Sequence, residues 1–411
     1  MKLEDKELEL KKCLEQVKKT TNLLYSKRLS ELTDNNVYFK PENLQTTGSF
    51  KIRGSFYKIS KMLKEREVKG LICASAGNHG QGVAYAGREY NLPTIVVLPK
   101  ITPYLKINLI KGYGAEAVLY GDTYDEACDY AQKLNEEKGY EFIHAFNDED
   151  VSYGQGSVAL EILEEFPDVD VILVPCGGGG LISGVCQIVK KYKPETLVYG
   201  VEPYYAASVS AMIKENKAVK LEKIKTIAEG CAVKEAGEKI FHNYKDIVKD
   251  IIKIKDEELI SSFIDVVEEN KLIVEPSGLL TVSAVRYLDL KGKNVVCILS
   301  GGNLDIMQMS TMLVQGLKEK SRIFSFSVIL NDKPGELLSV ANIISDNNGN
   351  VVALDHNQFT NFTVNDEVEL HVTVEAFGVD HKNQILEALK LKGYEIKEKQ
   401  NIQESRNVNI N

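Results

Sequence analysis

The order of elements along this 411-residue chain predicts an α/β body followed by a smaller second unit. Three observations carry that expectation. From about residue 37, short β-rich apolar runs alternate with helical stretches, which is how a mostly parallel sheet covered by helices is written in sequence. Glycine-bearing turns stand beside these runs at 47–55, 75–82, 177–180 and 300–303. Near 320 the character changes, and the remainder reads β-α-β-β-α-β, the ferredoxin-like order.

Residues 3–19 open the chain as a helix, with Leu8, Leu10, Leu14 and Val17 giving a ragged apolar stripe. The clearest strands are Gly70–Ala74, Thr94–Leu98, Ala117–Tyr120, Val169–Pro175, Val198–Val201 and Val295–Leu299. Helical stretches lie between them, among them 124–138, 154–166 and 256–269. No repeat of 20–50 residues is visible. Gly316–Ser321 is a polar link, so the first domain is expected over 1–320. Beyond it, Ile323–Leu330 alternates as a strand and 335–348 reads as a helix. Strands at 350–359 and 368–376, a helix at 380–391 and a strand at 393–398 complete a second domain over 322–398. Residues 399–411 form a polar tail.

Composition removes several function classes. With 44% hydrophobic residues the chain is able to bury a sizeable core. A formal net charge of −9 argues against nucleic acid or an anionic membrane as partner. The 7 cysteines are odd in number and mostly lie within apolar runs, as in LICAS and VVCILS. They read as small buried hydrophobes in a reducing compartment. The N-terminus is charged, without the apolar core of a signal peptide. Apolar runs fall short of the ~18 residues of a spanning helix. A soluble cytoplasmic protein is the expectation.

The turns carry the chemistry. GGGG at 177–180 follows VDVILVP and precedes a helix, so backbone N–H groups and a helix N-terminus are able to converge on a phosphate. SAGNHGQG at 75–82 spaces its glycines differently from the GxGxxG of a dinucleotide site. It brings Ser75, Asn78 and His79 into one turn. TGSFKIRGS at 47–55 sets Lys51 between glycines and beside Phe50, and a lysine desolvated there becomes nucleophilic. SGGN at 300–303 places a hydroxyl at the end of a strand. Open α/β sheets bind ligands at such strand ends.

Together, YFKPENLQTTGSFKIRGS, SAGNHGQGVAYA, PCGGGGLISG and SGGN resemble, in order and spacing, the threonine and serine dehydratase branch of the fold-type II pyridoxal-phosphate enzymes. The resemblance covers roughly 20–315. It implies a two-lobed body like the tryptophan synthase β chain, with a small lobe over about 48–150 and pyridoxal 5'-phosphate in the cleft. It makes Lys51 the residue that carries the cofactor as a Schiff base and later takes the Cα proton of the substrate. Phe50 packs on the pyridine ring, and Asn78 hydrogen-bonds its 3-oxygen. Gly177, Gly178, Gly179 and Gly180, with the Leu181 N–H, hold the phosphate. Ser300 meets the pyridine nitrogen without protonating it, which favours prompt loss of the β-hydroxyl over transamination. Ser75 and its turn seat the substrate carboxylate. The implied reaction is β-elimination from L-threonine to 2-oxobutanoate and ammonia, with L-serine as a slower substrate.

Two departures are informative. Racemases of this fold carry a serine where this chain has Ala76, so elimination without efficient racemisation is expected. Racemases also bind a divalent cation through a Glu-Pro segment and an Asp six residues on. Here Glu202 is present, but Ser208 replaces the Asp. Glu202 is therefore either a weak ligand for a monovalent or divalent cation, or a carboxylate that starts a helix.

LNDKPGELLSVANIISDNNGNVVALDHNQ (330–358) resembles the opening of an ACT domain, an amino-acid-sensing module. That resemblance implies an amino-acid effector, isoleucine or valine, and a homo-oligomer, a tetramer being expected. Alternatives are a serine-preferring ammonia-lyase, a C-terminal domain that only dimerises, and a non-catalytic sensor. Retention of Lys51 argues against the sensor, and the absence of GxGxxG argues against a dehydrogenase.

Overall fold

The computed structural model describes residues 3–357 and 367–398. The last two residues of the strand expected at 350–359, and the tail at 399–411, lie outside the described residues. The chain divides into two compact units, Met1–Gln308 and Met309–Asn411. The division falls about a dozen residues before the expected domain end at 320, because it cuts the helix Ile306–Glu319 near its start. A continuous helix hides a boundary from any reading that looks for loop composition.

The first unit holds two sheets. A six-stranded sheet runs Leu24–Tyr25, Asn36–Pro41, Asn294–Leu299, Val171–Pro175, Leu197–Pro203, Val248–Ile254. It is parallel except for its short first strand. A four-stranded parallel sheet runs Glu116–Leu119, Thr94–Leu98, Leu71–Ala74, Glu141–Phe142. The central strands Val171–Pro175, Leu71–Ala74 and Thr94–Leu98 are buried at every position, as strands covered on both faces must be. The edge strand Val248–Ile254 escaped the sequence reading because its VKDIIKI pattern is only partly apolar, and of its residues only Ile254 is buried.

Two helices differ from expectation. The opening helix is Asp5–Leu14, shorter than 3–19. The stretch expected at 154–166 is split into Glu149–Gln155 and Ser157–Glu165. Asp148 caps the first of these through its side chain, accepting from the Asp150 and Val151 N–H groups at 2.9 Å each.

The second unit has the β-α-β-β-α-β order, with strands Ile323–Asn331, Asn350–Asn357, Glu367–Glu375 and Glu395–Glu398 and helices Glu336–Asp346 and Val379–Leu391. Its sheet is antiparallel, with Glu395–Glu398 and Glu367–Glu375 flanking Ile323–Asn331. Phe324, Phe326, Val328 and Leu330 alternate inward and pack with Val340, Ile344, Ile385 and Leu389 into a separate core.

Candidate active site

Lys51 begins the helix Lys51–Glu65, directly after the Gly48–Phe50 turn. A buried ionic cluster two residues on anchors that helix. Arg53, fully buried, donates to Glu42 at 2.7 and 2.8 Å and to Glu161 at 2.8 and 2.9 Å. Lys40 also meets Glu161, at 2.8 Å. Every charge in the cluster has a partner, the condition under which a buried ion is tolerated. Lys51 Nζ donates to the Ala145 carbonyl at 3.0 Å and lies 5.2 Å from the centre of the Phe50 ring. Burial lowers its pKa to about 8, with Cys231 and Glu275 partly offsetting that fall. The neutral amine, able to act as nucleophile and base, is therefore reached nearer neutral pH than for an ordinary lysine.

The phosphate cradle is built at the end of the strand Val171–Pro175. Cys176–Gly179 turn the chain into the helix Gly180–Tyr192. Gly179 has φ +88°, the left-handed region. A Cβ on Gly178 would stand 2.3 Å from the Phe146 ring, so only glycine fits there. The Gly178 carbonyl accepts from the Gly237 N–H at 3.0 Å and the Gly177 carbonyl from Ser208 Oγ at 3.3 Å. With the carbonyls so engaged, the first N–H groups of the helix, which have no intrahelical partner, are left for an anion.

Asn78 begins the helix Asn78–Glu89, after the strand Leu71–Ala74. Its Nδ2 donates to Glu275 at 2.8 Å, and its Oδ1 accepts from Asn303 at 2.7 Å. Ser75 Oγ accepts from the Gly77 N–H at 3.2 Å and stays within its turn. His79 is structural: its Nε2 lies 2.8 Å from the Ile143 carbonyl, and burial lowers its pKa to about 3. Ser300 is only 4% exposed and follows the strand Asn294–Leu299, where its carbonyl accepts from the Phe50 N–H at 3.1 Å.

Phe50, Lys51, Ser75, Asn78, Gly177, Gly178, Gly179, Gly180, Leu181 and Ser300 all line one cavity of about 600 Å³. Glu202 stands outside it. Its two oxygens accept from the Val209 and Ser210 N–H groups at 2.7 and 2.9 Å, at the start of the helix Ser208–Glu215. Of its two expected roles the geometry supplies the helix-start carboxylate, and burial raises its pKa to about 7. Among the described residues no group of three or more His, Cys, Asp or Glu side chains is placed to hold a metal ion.

The cavity also contains residues that sequence reasoning left unassigned. Glu275 precedes Pro276 at the start of the helix Pro276–Ala284, and burial lifts its pKa to about 7 against the opposing Asn78 hydrogen bond and Lys106. Lys106 reaches Glu229 at 2.6 Å, joining the helix Tyr104–Gly112 to the 228–237 segment. The Glu-Pro-Ser-Gly helix start was the available signal for Glu275.

Residues 14–301 match the family described as pyridoxal-phosphate dependent enzyme. The chain belongs to the pyridoxal-phosphate dependent enzymes. A protein named L-threonine ammonia-lyase from Thermotoga maritima is 37% identical over 390 residues, covering 95% of this chain and 97% of the relative. Another of that name from Geobacter sulfurreducens is 37% identical over 377 residues, 91% of this chain and 94% of the relative. The processed form of threonine deaminase isoform 2 from Solanum lycopersicum superposes with a TM-score of 0.71 at 34% identity, covering 76% of this chain and 89% of that one. The cofactor of the family fits the residues present. A part-buried lysine with a lowered pKa, a glycine cradle at a helix N-terminus, an aromatic ring beside the lysine and a serine at a strand end converge on one cavity.

Proposed function

We propose that this chain is a threonine ammonia-lyase, converting L-threonine to 2-oxobutanoate and ammonia and accepting L-serine more slowly. The observation that carries the reading is the part-buried Lys51 amine, facing the same cavity as the phosphate cradle and the Ser75–Asn78 turn. The names of relatives 37% identical over nearly the whole chain support the substrate. Pyridoxal phosphate, when bound, supplies the electron sink that lets the Cα proton leave. Lys51 Nζ holds the cofactor and then takes that proton. Gly177–Gly180 and the Leu181 N–H bind the phosphate, Phe50 supports the ring, and Ser300 faces its nitrogen. Ser75 and the backbone of its turn bind the substrate carboxylate. Ala76 offers no second proton donor, so racemisation stays inefficient.

The second unit, with its Asp-Lys-Pro-Gly turn leading into the helix Glu336–Asp346, is proposed as an ACT-type regulatory domain. Its effector is isoleucine, which valine opposes, and the working form is a cytoplasmic homotetramer. Coupling is then reciprocal, so threonine weakens isoleucine binding as isoleucine weakens threonine binding. The test is 2-oxobutanoate production from L-threonine with pyridoxal phosphate, with and without isoleucine. Turnover suppressed by isoleucine is expected. Turnover on serine alone would replace the substrate, and turnover indifferent to isoleucine would remove the effector.

A further inference from the structure

The Asn78 amide sits in a chain of hydrogen bonds that ends on a backbone carbonyl at one side and on a carboxyl group at the other. At one end the Thr47 carbonyl accepts from Asn303 Nδ2 at 2.8 Å. The same nitrogen gives its second hydrogen to Asn78 Oδ1 at 2.7 Å. At the other end the Glu275 carboxylate accepts from Asn78 Nδ2 at 2.8 Å. A carbonyl has no hydrogen to give, so Asn303 must present nitrogen to Thr47. Asn78 must then present oxygen to Asn303 and nitrogen to Glu275. Its orientation is dictated from the Thr47 end, and the carboxylate form of Glu275 reinforces it. One Nδ2 hydrogen is spent on Glu275, and the second remains for the cavity that Asn78 lines.

Two glycines make room for this chain. A Cβ on Gly301 would stand 2.5 Å from Glu275 Oε1 and 3.0 Å from Asn78 Nδ2, in the path of their hydrogen bond. A Cβ on Gly48, whose φ is +72°, would stand 2.3 Å from Asn303 Oδ1. The two glycines belong to the TGSFK and SGGN turns, which also cross-brace through a bridge between Ser49 and Gly301. Close approach to this relay therefore gives these positions a reason to be glycine that differs from phosphate binding.

We propose that Glu275 and Asn303 are positioning residues that lock the Asn78 amide with one N–H directed at the cofactor's ring oxygen. The proposal rests on the family cofactor and not on the choice of substrate, so failure of the threonine reading leaves it intact. Without the lock the amide is free to turn and offer its oxygen to an oxygen, a repulsive contact.

The experiment is a double-mutant cycle on cofactor binding. The dissociation constant of pyridoxal phosphate from the apoenzyme is measured by protein fluorescence, and the visible band of the loaded protein is recorded. Glu275→Ala and Asn303→Ala are each expected to weaken binding by about tenfold, near the net worth of one oriented hydrogen bond, and to shift the band. In an Asn78→Ala background each should add less than about twofold. Glu275→Gln keeps an acceptor oxygen and should bind within about twofold of the parent. Asn303→Asp keeps the size but has no N–H, and should behave as Asn303→Ala. This second pair keeps the question decidable if Glu275→Ala fails to fold. Full effects that persist in the Asn78→Ala background, or a Gln variant as damaged as the Ala one, would overturn the relay.

Discussion

The two units of this chain solve the problem of a sheet in opposite ways. In the first, parallel strands such as Val171–Pro175 and Leu71–Ala74, one in each of its two sheets, are buried throughout. Residues of the turns at their carboxyl ends, 75–77 and 177–179, line one cavity. In the second, antiparallel strands alternate direction and side-chain facing, and Phe324, Phe326, Val328 and Leu330 fill a core beneath two helices. Parallel pairing concentrates loops and so builds chemistry, while antiparallel pairing builds a compact module from local alternation.

The comparison breaks most sharply at Lys51. Lys51→Ala is expected to lower turnover more than about a thousandfold and remove the visible absorbance of the lysine-bound cofactor, with the second unit still folded. Robust turnover in that variant, followed by 2-oxobutanoate formation, would dissolve the functional contrast. The converse substitution is Phe326→Ala, in the second core. It should cost that unit about 3–5 kcal/mol, seen by calorimetry as one transition moving while the cofactor band is kept. If both transitions fell together, the two units would not be energetically separate.

A third substitution probes the cradle alone. Gly178→Ala drives a methyl into Phe146 and should cost about 1–3 kcal/mol of cofactor affinity, read as roughly a ten- to hundredfold weaker dissociation constant. Unchanged affinity would mean that Phe146 moves aside freely. The smallest effect concerns acid. Glu7, 1% exposed, is opposed by burial, but hydrogen bonds from Tyr153, Tyr192 and Lys191 outweigh this and hold its pKa at about 2. A depressed acid stabilises the fold above its ordinary value of 4.5, and that contribution is lost as pH falls from about 4.5 to 2. Glu7→Gln should therefore flatten the acid side of the first unit's melting profile and leave the second unit's unchanged. An equally steep fall in the variant would place the acid sensitivity elsewhere.

By itself the sequence determined the fold class, a resemblance that named the cofactor family, and a set of residues that line one cavity. These are local demands: glycines where a backbone must turn or approach, a lysine within such a turn, apolar runs of strand length. It also determined the C-terminal order, because strands such as Ile323–Asn331 alternate with period two. The tertiary structure alone decided the rest. Asn78 meets Glu275 across 197 residues and Asn303 across 225, separations over which no pattern in the sequence reports a distance. The lowered pKa of Lys51 is a property of its burial, and burial is supplied by segments far away in the chain. Glu202 could be read from sequence as ligand or helix start, and only its two contacts with the 209 and 210 amides show the helix-start role. Desolvation and hydrogen-bond geometry act through space, so they become definite only when the fold has closed.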